Sequence, residues 1–191
     1  VRSLIAMDKF DIHINSLRWG NCPMNALDDK NPNDKIILDR IVQNNNLPRQ
    51  PEVHIQISVP NEFTPIAKYN IGITAGIENT APKPEWIQGM NQMDMNIVPS
   101  NFVKGVFESV TYEEINEQTK QKTGELKSTK PIEVLFEGVD TNIYKKTNTI
   151  SDEFKAEMDN IKERFIFLYT GHWLQGNLGE DRKDTGMLLK T

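Results

Sequence analysis

Short apolar runs of strand length alternate along this chain with segments whose apolar residues recur at helical spacing, and that alternation constrains the fold most. Val53-His54-Ile55-Gln56-Ile57-Ser58-Val59 is such a run, stopped at once by Pro60. Tyr69 to Thr74 and Met95-Asn96-Ile97-Val98 are two more. Between and after them lie a Pro-opened helical segment at Pro84-Glu85-Trp86-Ile87 and one bearing Phe102, Val103, Val106, Phe107 and Val110, with Ser100 placed to cap it. Parallel strands need crossover connections, usually helical, so this order predicts an α/β domain with a largely parallel sheet. Ligands of such sheets bind beyond the carboxyl ends of the strands. The residues that follow each run are therefore the ones to watch.

The flanking segments are less regular. Residues 1–7 read as the tail of a helix, and Phe10 to Leu17 alternates apolar and polar at period two, which predicts a strand. Pro23, Pro32 and several Asn and Asp mark a loop, after which Asp34 is placed to cap a helix presenting Ile37, Leu38, Ile41 and Val42. Residues 111–130 are rich in Glu, Gln, Lys and Thr and read as an exposed insertion, helical or hairpin. Ile132 to Phe136 restores a strand, and the polar stretch Lys145 to Ser151 reads as a linker. Beyond it Phe154, Met158, Ile161 and Phe165 form an amphipathic segment that delivers the chain into a strand at Phe165 to Thr170. The expected organisation is one domain over 1–150 and the start of a second over 151–191.

Charge and cysteine content narrow the function. With 22 Lys+Arg against 27 Asp+Glu, the net charge of −5 offers no one-sided basic field for nucleic acid. The single cysteine, Cys22, can form neither an internal disulfide nor a Cys-based zinc site, which points to a reducing, cytoplasmic setting. No run approaches the roughly 18 apolar residues of a membrane span. The chain opens at Val1 without Met and stops at Leu188-Leu189-Lys190-Thr191 in an apparent helix, so it reads as a piece of a longer protein.

Three places could carry chemistry, and the remaining candidates do not. The backbone amides of Thr74-Ala75-Gly76-Ile77-Glu78 and the Glu78 carboxylate could face a cleft and bond sugar hydroxyls, or form a tight turn with an exposed Glu. Ser100 could offer its hydroxyl and helix-terminal amides to a ligand, or simply cap. Gly171-His172-Trp173, the glycines at 176 and 179, and the pair Arg182-Lys183 could hold a diphosphate, although they match neither the P-loop nor the dinucleotide pattern. His13, His54 and His172 are too far apart in sequence for a local metal motif, so no metal is expected. Asp94 and Glu62 show no partner for acid–base work, and Cys22 has no identifiable activating base.

The order of the motifs says more than any one of them. Thr74 to Glu78, Pro84-Glu85-Trp86, Met93 to Phe102 with its Val98-Pro99-Ser100, Glu137-Gly138-Val139-Asp140, and Phe167 to Gly171 with Arg182-Lys183 together resemble the retaining glycosyltransferases of the GT-B fold, nearest to the family-4-like group. The resemblance covers roughly residues 53–191, interrupted at 111–130. It implies a Rossmann-like acceptor-side domain, a parallel sheet flanked by helices, followed by the start of a second Rossmann-like domain on the donor side. It implies a metal-independent transfer from a nucleotide-sugar donor, with retention, to a carbohydrate or other acceptor, and no cofactor besides that donor substrate.

Carried onto this sequence, Arg182 and Lys183 would hold the donor diphosphate and Gly171 would let the nucleotide sugar approach, while Thr74, Glu78 and Ser100 would line the acceptor cleft. The loop from Gly171 to Arg182 is longer and richer in glycine than the family's short turn. The family's paired glutamates would fall after Thr191, and its first strand and glycine-rich loop before Val1. Two other readings share the fold: a non-catalytic carbohydrate-binding or assembly module, and a nucleotide-sugar epimerase.

Overall fold

The computed structural model describes the chain except residues 19–22, 24, 44–46, 48, 77–79, 117, 171–184 and 191. It divides into two units, Val1–Gly138 and Val139–Thr191. The boundary expected after residue 150 thus lies inside the second unit.

The first unit is α/β and contains a four-stranded, wholly parallel sheet flanked by helices. In chain order its elements are α1 (Arg2–Ala6), α2 (Pro32–Leu38), β1 (Val53–Ile57), β2 (Tyr69–Ile73), α3 (Pro84–Gln92), β3 (Met95–Val98), α4 (Asn101–Ser109), the hairpin strands β4 (Thr111–Ile115) and β5 (Lys122–Lys127), and β6 (Ile132–Val134). The sheet order is β1-β2-β3-β6, every neighbour parallel. The core lies on one side of it, where Phe63, Ile87, Met90, Met93, Val103 and Phe107 pack with Val98 and Ile132 of the sheet. Trp86 of α3 stacks on Phe107 of α4 with ring centroids 6.4 Å apart.

The connection from β1 to β2 carries no α-helix. A 3₁₀ turn at Pro60–Glu62 replaces it, and side-chain amides from the sheet hold the loop in place of a helical ladder. Gln56 Nε2 donates to the Glu62 carbonyl at 2.7 Å, and its Oε1 accepts from the Thr64 amide at 2.9 Å. Asn70 Oδ1 accepts from the amides of Ile66 and Ala67, both at 2.9 Å. These bonds satisfy backbone groups that an irregular buried segment would otherwise leave unpaired. The loop then lies so close to α3 that a Cβ on Gly89 would stand 1.7 Å from the Pro60 carbonyl oxygen.

The opposite face of the sheet is apolar as well. Val53, Ile55 and Ile57 alternate outward on the edge strand β1 and are all exposed. In register beside them run Tyr69, Ile71 and Ile73, then Met95 and Ile97, and Glu133 closes the last row. None of these belongs to the core cluster.

Several expectations change. Phe10 to Leu17 forms no strand; Ile14 alone bridges to Ile41, through Ile14 N to Arg40 O at 2.8 Å and Val42 N to Ile14 O at 2.9 Å. Alternation marks a two-faced segment, but a strand also needs a neighbour to pair with. Helix α2 is capped by Asn31 rather than Asp34, because Pro32 is pre-organised for the first helical position and Asn31 Oδ1 reaches the Asn33 amide. Asp34 instead lies inside the first turn and pairs with Arg2. Ile41 and Val42 fall beyond the helix end.

The insertion at 111–130 is an antiparallel hairpin. Tyr112 Oη donates to the Pro82 carbonyl, and Asn91 of α3 bonds Lys127 O at 2.8 Å and the Thr129 amide at 2.9 Å, fixing the hairpin to the unit. Lys122 bridges Glu113 at 3.2 Å and Glu125 at 2.7 Å, which raises the lysine's pKa and lowers that of Glu125.

In the second unit, α5 (Asp152–Asp159) is capped by Ser151, and α6 spans Thr185–Lys190. The segment Phe165 to Thr170, expected as a strand, is irregular and has no ladder partner among the described residues, with Phe167 84% and Leu168 88% exposed. Among the described residues no helix is long and apolar enough to cross a membrane.

Candidate functional site at the carboxyl edge of the sheet

Each ladder runs one residue past its strand, since Ser58 N donates to Ile73 O at 3.2 Å, Thr74 N to Ile97 O at 3.1 Å and Leu135 N to Val98 O at 3.0 Å. Thr74 thereby sits, buried, at the junction of β2 and β3. Its Oγ1 accepts from the Gly76 amide at 3.3 Å, closing a tight turn over Thr74 to Gly76. Gly76 adopts φ +79°, and a Cβ there would lie 2.3 Å from Val103 Cγ1. The turn is thus pressed against the first turn of α4.

Ser100 holds that same turn. Its Oγ accepts from the Val103 amide at 3.2 Å, the capping bond its position predicts. No acidic residue occupies the first turn of α4. Thr74 and Ser100, 26 residues apart in sequence (100 − 74), therefore meet the same residue, Val103, one through the Gly76 turn and one through its cap. Each hydroxyl accepts a backbone amide, which leaves its own O–H to donate. Glu78, Gly171, His172, Arg182, Lys183 and Cys22 lie outside the described residues.

In doubly wound sheets the ligand crevice opens where strand order reverses. The four strands here run in sequence order without reversal. The corner between β2 and β3 is shaped instead by the Gly76 turn and the Ser100 cap.

Other ionisable groups lie elsewhere. Asp94 precedes β3, at the amino end of the sheet, and accepts from the backbone amide of Asn70 at 2.8 Å and from its side-chain amide at 3.2 Å. Those two bonds, helped by the charge of Lys130, hold its pKa below the ordinary carboxylate value. It is an anchor for the start of β2, and nothing in the sequence marked Asn70 as its partner. An open groove of about 560 Å³ includes Asp11, His13, Asp39 and Arg40 in its lining. These groups make local pairs: His13 Nε2 with Asp11 at 3.3 Å, Lys35 with Asp39 at 3.0 Å, and Arg40 with the Ile36 carbonyl at 2.6 Å. Among the described residues no group of three or more His, Cys, Asp and Glu could hold a metal ion.

His54 lies on the covered side of β1, with Nδ1 buried and unpartnered. Burial lowers its pKa below 6.5, outweighing the raising effect of a hydrogen bond to Thr64. Because the folded pKa is the lower one, the unfolded chain binds the extra proton first, and stability falls as pH drops below about 6.5. Urea midpoints measured from pH 7.5 down to pH 5 should decrease for the wild type, and the slope should flatten in His54→Phe. An unchanged slope in the variant would assign the pH dependence to other groups.

No family model, no curated protein and no solved structure matches the chain.

Proposed function

We propose that the chain is the acceptor-side domain and the opening of the donor-side domain of a metal-independent retaining glycosyltransferase. The ordered motifs from Thr74 to Lys183 support this reading, and the observation that carries it furthest is the convergence of the Gly76 turn and the Ser100 cap at one carboxyl-edge corner. The part-exposed Ser100 hydroxyl, with an O–H to donate, and the Gly76 turn that the buried Thr74 hydroxyl holds in place suit a neutral polyhydroxylated acceptor. The acceptor oxygen would bond to the anomeric carbon as the bond from that carbon to the diphosphate breaks. Arg182 and Lys183 would neutralise the negative charge growing on the leaving nucleoside diphosphate. The acceptor's proton would leave with the diphosphate or with solvent.

Initial-rate kinetics on the full-length protein that carries this chain, with the acceptor varied, test this assignment. In Thr74→Val the shape of the side chain is kept and the hydroxyl removed, and Ser100→Asn keeps a capping acceptor. Each should raise the acceptor KM about tenfold, the worth of one hydrogen bond of about 1.4 kcal/mol, with donor hydrolysis unchanged. Unaltered KM in both variants would remove the corner from the acceptor site.

A further inference from the structure

His54 ties the connection between β1 and β2 to a titratable group, and this carries an inference independent of the transferase reading. Both ends of that connection are bonded to the sheet. Ser58 N donates to Ile73 O at 3.2 Å, while Lys68 N and Tyr69 N donate to Pro51 O at 3.1 Å and Glu52 O at 3.0 Å. Between those ends three side chains on the covered face grip the backbone of the loop. Gln56 holds Glu62 and Thr64, Asn70 holds Ile66 and Ala67, and His54 bonds the backbone of Thr64. Phe63 completes the attachment. It is 3% exposed, and its ring lies so close to Gly72 that a Cβ there would stand 2.4 Å from Phe63 Cε2.

Of the three gripping side chains only His54 changes charge near neutral pH. Its Nδ1 is buried without a partner, so a proton added there creates an N–H that has no acceptor and a charge that has lost part of its water. Its register partner Asn70 is neutral, and that side chain is committed to the loop and to Asp94. The ionisable groups on the elements around it, Glu52, Glu62, Lys68, Tyr69, Glu85 and Asp94, do not offset this penalty; only the bond to Thr64 opposes it. Bringing the ring to solvent relieves the penalty. Lifting the middle of the loop does so at less cost than unfolding the unit, because the ladder bonds at Ser58, Lys68 and Tyr69 survive.

We propose that residues 62–67 are a strap released by acid: protonation of His54 frees them from the sheet and exposes Phe63, while the four strands remain paired.

Native-state amide hydrogen exchange on the full-length protein that carries this chain tests the proposal, with each rate divided by its intrinsic value at the same pH. The amides of Thr64, Ile66 and Ala67 report the strap, and those of Ser58, Thr74 and Asn96 report the sheet. Strap amides should be less protected than sheet amides, and low concentrations of urea should leave their opening unchanged, as a local event exposes little surface. Their opening should grow roughly tenfold from pH 7.5 to pH 5.5, the rise expected of one imidazole that recovers its ordinary pKa of about 6.5 in the open form. In His54→Gln, which does not titrate, that rise should vanish. Strap amides that follow the sheet amides in protection and in urea dependence would show that the unit opens only as a whole and would overturn the proposal in the wild type alone, whether or not the variant folds. Strap opening that is flat across this pH range, or that rises equally in His54→Gln, would overturn it as well.

Discussion

Gly89→Ala should destabilise the first unit by about 3 kcal/mol or more, a loss at the upper end of overpacking effects. Gly89 sits within α3, where alanine would ordinarily be preferred by roughly 1 kcal/mol. The local preference loses because the new Cβ would stand 1.7 Å from the Pro60 carbonyl oxygen and 3.1 Å from the Asn61 amide nitrogen. These are backbone atoms of a turn anchored by Gln56 and Asn70, so no side chain can rotate away. Either α3 lifts off the sheet, uncovering Ile87 and Met90, or the loop loses its bonds. Gly105, in α4, provides the control, since a Cβ there meets nothing within 4 Å. Gly105→Ala should stabilise by about 1 kcal/mol. Thermal or urea unfolding of the two variants should move in opposite directions, and equal shifts would mean that the close approach of loop and helix is wrong.

Phe107→Ala is the second large effect. Phe107 is fully buried between Trp86 and the cluster of Ile87, Met90, Val98 and Ile132. Truncation removes the transfer free energy of the ring and leaves a cavity that α4 cannot close while Ser100 and Val103 fix its first turn, a loss of about 3–5 kcal/mol. A domain's entire stability is commonly about 5–15 kcal/mol, so the variant should be marginal or unfolded at 37 °C. Phe102→Ala, at an exposed position five residues earlier (107 − 102) on the same helix, should change stability by no more than about 0.5 kcal/mol. Urea midpoints for the pair measure the difference. Similar midpoints would mean that α4 does not bury the face described.

The central sheet was legible because its signals are local. The apolar run stopped by Pro60 and the short run Met95 to Val98 marked β1 and β3 nearly to the residue, and a serine ahead of a helical stripe marked the α4 cap. Parallel pairing of β2 with β3 and of β3 with β6 followed from the helices set between them, whereas β1 pairs with β2 across a connection that has no α-helix. What escaped depends on contacts between distant residues. Asn70 meets Asp94 across 24 positions, and Gln56 reaches Glu62 and Thr64 only because the loop folds back over the sheet. Phe10 to Leu17, apart from the single bridge at Ile14, and Phe165 to Thr170 have strand-like side chains yet no ladder partner among the described residues, which no periodicity reports. At the candidate site, Thr74 and Ser100 were picked from their positions after strands. The part played by Gly76 was not, because the need for a bare Cα arises from Val103 pressing on it.

Release of nucleoside diphosphate by the full-length protein that carries this chain, from a panel of UDP-, GDP- and ADP-linked hexoses with and without sugar acceptors, bears most directly on the functional account. At least one donor should turn over in the wild type, with Arg182→Ala and Lys183→Ala each reducing the rate about 100-fold, the usual worth of a group that stabilises developing charge. Wild-type rates in both variants, or a full-length protein that neither binds nor turns over any nucleotide sugar, would contradict it.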